Sequence, residues 1–186
     1  MRLFLKQLRP AALILLVMVA ICGVIYTLAM TGVAQLVFPH QANGSIITVK
    51  LKDGSSKDYG SALIAQKFTE PKYLIGRPMM VSNLSPTSDA QRKLVAERVQ
   101  WFRNLDPTNA DPVPADLVTA SGSGVDPFIS PEAAEYQVAR IARERDISAP
   151  DVRAVIRKYT TGRFLGFIGD PCVNVLKVNL ALDGLL

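Results

Sequence analysis

The stretch "AALILLVMVAICGVIYTLAMTGVA", Ala11 to Ala34, runs for about 24 residues without one charged side chain. As a helix rising about 1.5 Å per residue it is roughly 36 Å long, enough to cross a hydrocarbon core of about 30 Å with some tilt. "GVA" before Gln35 has the small residues a signal peptidase accepts. The apolar region of a cleaved signal, however, is only about 7–15 residues. The length therefore predicts a retained anchor, with a cleaved, free protein as the alternative. Arg2, Lys6 and Arg9 precede the span, and no Lys or Arg follows until Lys50. That asymmetry predicts a cytoplasmic N-terminus and an outward-facing remainder.

The chain of 186 residues leaves room for one compact domain beside the span. The expected layout is a cytoplasmic N-terminus over 1–10, a transmembrane helix over 11–34, a linker over 35–45 and a soluble extracytoplasmic domain over 46–186. The expected class is α+β, with a small sheet and about three helices. There are 21 basic and 16 acidic residues for a net charge of +5. Setting aside the three cations before the span leaves 18 against 16, and nothing in that balance supports nucleic-acid binding. Cys22 lies in the span and Cys172 near the far end, so no disulfide framework is available within one chain.

Within the domain, Ile47, Val49 and Leu51 alternate with polar residues and end at Asp53-Gly54, predicting a half-buried strand that closes in a turn. "GSALIAQKF" (Gly60 to Phe68) reads as helical and "PKYLIGRP" (Pro71 to Pro78) as a loop or irregular strand bounded by prolines. Ser88 to Asn104 has helical spacing behind a Ser88 cap, with Trp101 and Phe102 expected in the core. "LDPTNADPVPADL" reads as a proline-stiffened connector. Two further helices are predicted: Pro131 to about Arg145, capped by Ser130, and Pro150 to Thr160, capped by Ser148 with Asp151 and ended by Gly162. "RFLGFIGDPCVNVLKVNLALD" reads as two strands around Gly169-Asp170-Pro171.

The reactive inventory is thin. The one histidine, His40, sits in the linker, so a serine hydrolase using Ser121 or Ser123 has no nearby imidazole, and the Gly-x-Ser-x-Gly elbow is absent. One His and two separated Cys supply no metal cluster, and no phosphate loop is present. "SGSGVDPFISPEAA" instead fits a tight turn feeding a helix. Gly122 and Gly124 permit positive φ, Asp126 and Pro127 stiffen the turn, and Ser130, Pro131 and Glu132 open the helix. Its N–H groups could hold an anion, but Asp126 and Glu132 already bring negative charge there, which favours a structural role for Ser121, Gly122, Ser123 and Gly124. In the span, Gly23, Ala29 and Gly32 would let another helix approach, and Tyr26, Thr27 and Thr31 could hydrogen-bond across it; a plain anchor is the other reading.

The basic tail and single span, "GSALIAQKF", "YLIGRP", "VPADLVTASGSGVDPFISPEAAEYQVARIARER" and "VNVLKVNLALD" together resemble the C subunit of the Kdp potassium-transporting ATPase over most of the chain. The resemblance implies an accessory, non-catalytic subunit of a high-affinity uptake pump in the bacterial inner membrane, with its domain in the periplasm near the ion entrance. Its implied partners are a channel-like potassium-translocating subunit, a P-type ATPase subunit and a small peptide subunit. ATP and potassium would be handled by the complex, with no cofactor held tightly by this chain, which lacks the phosphorylation motif DKTGT. The family is also proposed to raise apparent ATP affinity, and Gln137 stands at the glutamine suggested as a nucleotide contact. An outward-facing domain conflicts with that contact. Two departures from the family pattern are a shortened "GRPMMVSNLSPTSDAQ" and Phe128, where many members have a histidine.

Overall fold

The structure, a computed structural model, describes residues 2–186, with side chains from Lys6 onward. Met1 and the Arg2 side chain, on which the basic tail partly rests, lie outside the described residues. The chain divides into two compact units between Ile46 and Ile47.

In the first unit, α1 (Arg2–Met18) passes into a π-helical segment, Val19–Ile25, and then α2 (Tyr26–Val37). Lys6–Val37 has a mean hydropathy of 2.7 over its most apolar window, none of it buried by protein, so it is long and apolar enough to cross a membrane. The helix outruns the uncharged stretch at both ends. The segment after it is not extended, because Pro39 opens a further turn, α3 (Pro39–Ala42), and Asn43 bonds back to Gln35 at 3.1 Å.

The second unit begins with a hairpin. β1 (Ile46–Lys50) pairs with β2 (Ser56–Ser61) across a turn where Gly54 has φ +84. Val49 is buried and Ile47 half-buried, as the alternation predicts. "GSALIAQKF" is not helical. Gly60 has φ +127 at the end of β2, and the chain then runs irregularly, its Ala65 N–H donating to Val125 O at 2.8 Å. So short a run does not nucleate a helix without tertiary support, and here tertiary bonds take its backbone groups instead.

Ser88 caps α4 (Asp89–Leu105), its hydroxyl accepting from the Gln91 N–H. Phe102 is 3% exposed but Trp101 is 39% exposed, which corrects the expectation that both are core. Neighbouring helix residues point about 100° apart, and here the face of α4 turned to the core takes Phe102 and leaves Trp101 at its margin. The connector makes one turn, α5 (Ala115–Val118). The three-stranded antiparallel sheet has the order β3 (Phe128–Ile129), β5 (Cys172–Asn174), β4 (Thr160–Thr161), with Ile129 and Thr160 both opposite Val173.

The helix predicted over Pro131 to Arg145 is two: α6 (Pro131–Glu135) and α7 (Val138–Arg145). At the break the Tyr136 carbonyl accepts from Asn109 Nδ2 at 3.0 Å, and the Gln137 N–H donates to Ala134 O, three residues back. α8 (Ala149–Lys158) starts at its Ser148 cap and ends at Tyr159, before Gly162. The second predicted strand is extended only over β5 and then continues as α9 (Val175–Leu182), capped by Asn174. Val175, Leu176, Val178 and Leu180 are all buried. A helix buried nearly all round carries apolar residues on every face, and the apparent alternation loses its meaning. The core joins Leu74, Ile75, Phe102 and Leu117 to the buried faces of α6 to α9 and the sheet.

Candidate functional site

The Ser-Gly loop is bonded inward. Gly124 N–H donates to Ser121 Oγ at 3.0 Å, Ser123 Oγ lies 3.2 Å from Ser121 Oγ, and Asp126 Oδ1 accepts from Phe128 N at 2.9 Å. Asp116 Oδ2 accepts from Ser130 N at 2.7 Å, while its Oδ1 lies 3.4 Å from Arg77 Nη1. Ser130 Oγ caps α6 by accepting from Ala133 N at 3.1 Å, with Pro131 in the first turn. Gly124 has φ +68, and a Cβ there would stand 2.8 Å from Val81 Cγ2 and 2.9 Å from Val81 N. Gly122 does not have positive φ and faces open space, so only Gly124 requires glycine. Among the described residues neither Ser121 nor Ser123 hydrogen-bonds a histidine, lysine or carboxylate, so neither has the base a nucleophile needs. No described cluster of His, Cys, Asp and Glu has the makings of a metal site.

Gln137 is 1% exposed. Its Oε1 accepts from Ile75 N at 2.8 Å and Arg140 Nη2 at 2.7 Å, and its Nε2 donates to Ile75 O and Ala133 O, each at 3.0 Å. Asn179 grips the neighbouring residue in the same way, accepting from Leu74 N at 2.8 Å and donating to Leu74 O at 2.9 Å. Arg140 donates to the carbonyls of Pro71 and Tyr73. Three buried side chains thus bond the backbone of the irregular segment Pro71–Gly76, satisfying groups that would otherwise be orphaned. In this conformation the Gln137 amide has no polar atom left for a nucleotide. Asn179 and Arg140 escaped the sequence reading, although a lone Asn within "VLKVNLAL" is the signal of a buried polar partner.

Burial pulls the Arg140 guanidinium down to about 10, against the opposing charge of Asp106, so it stays cationic at neutral pH. Burial raises the Asp106 carboxyl, but Thr108 Oγ1 donating at 2.7 Å and Arg143 Nη2 at 2.9 Å outweigh it, and the group lies below its ordinary 3.8.

Opposite in character is the hairpin tip after β4. Phe164 and Ile168 bridge each other, and Phe164, Leu165, Phe167 and Ile168 are each at least half exposed. Leu165 and Gly166 both have positive φ. Sequence reading took this tip for ordinary strand. The signal it carried was four large apolar residues within "RFLGFIGD", bracketed by the turn formers Gly162 and Gly169. In the first unit, Tyr26 is exposed, Gly32 has nothing within 4 Å of a built Cβ, and Thr27 Oγ1 donates to Cys22 O at 3.3 Å within the helix beside Gly23. Thr31 is also exposed.

The chain thus combines a helix long and apolar enough to cross a membrane, an α+β domain with its polar motif turned inward, and an exposed apolar hairpin tip. The family model described as "K+-transporting ATPase, c chain" matches residues 8–184, and the chain belongs to this KdpC family. Similar proteins named "Potassium-transporting ATPase KdpC subunit" include one from Listeria monocytogenes serovar 1/2a, 52% identical over 100% of this chain and 99% of its own. Another, from Methylococcus capsulatus, is 51% identical over 95% and 97%. One from Clostridium perfringens is 50% identical over 97% and 98%.

Proposed function

We propose that this chain is the accessory, non-catalytic subunit of an ATP-driven potassium pump, anchoring and stabilising the complex of its potassium-translocating and ATP-hydrolysing subunits. The observation that carries this reading is the hairpin tip, because contiguous exposed apolar surface outside a buried core marks an interaction site. Family membership supplies the pump. Gly23 and Gly32 allow close approach of a partner helix, and Tyr26, Thr27 and Thr31 supply polar contacts on it. The N-terminus is cytoplasmic and the domain lies in the periplasm, in line with the cations before the span. Any rise in the pump's apparent ATP affinity then comes through contact with the hydrolytic subunit and not through Gln137, whose amide is fully bonded within the domain.

Co-expression with the two large subunits, followed by detergent extraction and pull-down on this chain, tests the reading. The unaltered chain is expected to bring both down, and Phe164→Ser with Phe167→Ser to lower recovery about tenfold, as losing two aromatic anchors does at an interface. Failure of the unaltered chain to retain the ATP-hydrolysing subunit would sink the assignment. Periplasmic activity of a C-terminal reporter fusion checks the orientation, and cytoplasmic activity reverses it.

A further inference from the structure

Beside the Ser-Gly loop, whose Gly124 carbonyl accepts from the Met80 N–H at 3.2 Å, the second unit carries an open cleft of about 420 Å³ between the Gln66–Thr69 segment, the Ile75–Met80 segment and α4. That volume falls in the range of small-ligand sites, about 300–1,000 Å³. Phe68, Met79, Met80, Trp101 and Phe102 give it an apolar lining, and methionine adapts readily to the shape of a guest. The charges on its wall are Lys67, Arg77 and Arg98, with no Asp or Glu among the lining residues. Among the described residues Lys67 and Arg98 form no ion pair; Arg98 Nη1 donates only to the Val118 carbonyl, at 2.8 Å. Arg77 is held by Asp116 through Nη1, while its buried Nε has no hydrogen-bond partner. At the lip, Met80 has φ +131, a costly conformation for a residue with a Cβ, and such strain concentrates at functional sites.

We propose that this cleft binds a small amphiphilic carboxylate, its apolar body against Trp101, Phe68 and the methionines and its carboxylate on Arg98 and Lys67. An apolar guest alone would leave these cations without an anion, and a hydrophilic anion would waste the aromatic wall. This role is additional to assembly and does not depend on it.

Trp101 is the one tryptophan of the chain, so its emission reports on the cleft directly. The full chain, reconstituted in phosphatidylcholine vesicles, is titrated with 4-phenylbutyrate and, separately, with the neutral 4-phenylbutanamide. The acid is expected to change Trp101 emission saturably and to bind about tenfold or more tighter than the amide, because a hydrogen bond to a charged group is lost with the carboxylate. Lys67→Gln and Arg98→Gln should each weaken the acid and leave the amide unchanged. Emission that ignores the acid, because the cleft stays empty or because lipid already fills it, overturns the proposal. An equal response to acid and amide overturns it as well. That comparison needs only the unaltered chain and so stands even where Arg98→Gln fails to fold.

Discussion

The Ser-Gly loop and the hairpin tip are both glycine-rich turns of the second unit, and they are opposites. The loop has the polar residues that suggest chemistry, yet Ser121, Ser123, Asp126 and Ser130 all bond to nearby backbone or to one another. The tip has only apolar residues, which suggest core, yet Phe164, Leu165 and Phe167 are about 70% exposed. Residue type therefore misleads at both places. What distinguishes them is whether each side chain finds its partner inside the chain, and only the loop's do.

The contrast breaks most visibly where an inward polar group is removed. Gln137→Leu leaves the Ile75 N–H and C=O and one Arg140 donor without their partner, and each buried orphan costs about 1–3 kcal/mol. Urea unfolding of the detergent-solubilised chain, followed by Trp101 emission, is expected to show a loss of about 3–5 kcal/mol. Near-native stability would mean that the segment Pro71–Gly76 is held by other means.

Gly124→Ala comes next. The added methyl meets Val81 backbone at 2.9 Å in a positive-φ conformation, a combination expected to cost about 2–3 kcal/mol in the same assay. Gly122→Ala is the matched control and should cost under about 0.5 kcal/mol, since nothing lies within 4 Å of its Cβ. Equal effects of the two would erase the distinction drawn inside the loop. Ser121→Ala removes one acceptor for the Gly124 N–H and is expected to cost about 1 kcal/mol. It should leave the potassium-dependent ATPase rate of the assembled pump unchanged, and a large fall in that rate would restore a chemical role to the hydroxyl.

Asp106 extends the contrast to pH. Its folded carboxyl titrates below 3.8, so its contribution is fully present above that value and is lost as pH falls through the folded one. In Asp106→Asn the decline of the urea midpoint between pH 4 and 2 should be shallower than in the unaltered chain; an identical slope would remove Asp106 from the acid response. Smallest is the effect on stability of Phe164→Ser with Phe167→Ser. Exposed side chains have little burial to lose, and the domain is expected to unfold within about 0.5 kcal/mol of the unaltered chain. A loss of several kcal/mol would show the tip to be core in disguise.

Local signals were legible wherever the structure follows local rules. The N-terminal apolar helix, the Asp53-Gly54 hairpin and the caps at Ser88, Ser130 and Ser148 stand where composition and spacing place them, because a cap or a turn involves residues only a few positions apart. The misread elements had their partners elsewhere. "GSALIAQKF" is drawn out of helix by a bond to Val125, the break between α6 and α7 coincides with a contact to Asn109, and α9 is hidden from pattern analysis by burial on every side. The family resemblance was legible because it rests on long continuous motifs that are read directly from the chain.

By itself the sequence determined an apolar helix of membrane-crossing length, an α+β domain after it, and the absence of a Ser-His elbow or a metal-ligand spacing, since these depend on residue types and short intervals. Only the tertiary structure decided what the key side chains do. Gln137 meets Ile75 across 62 residues and Asn179 meets Leu74 across 105, and no local pattern encodes a pairing at that range. The same is true of exposure: Phe164 and Phe102 are one residue type, and it is the packing of distant segments around the second that makes one core and leaves the other for a partner.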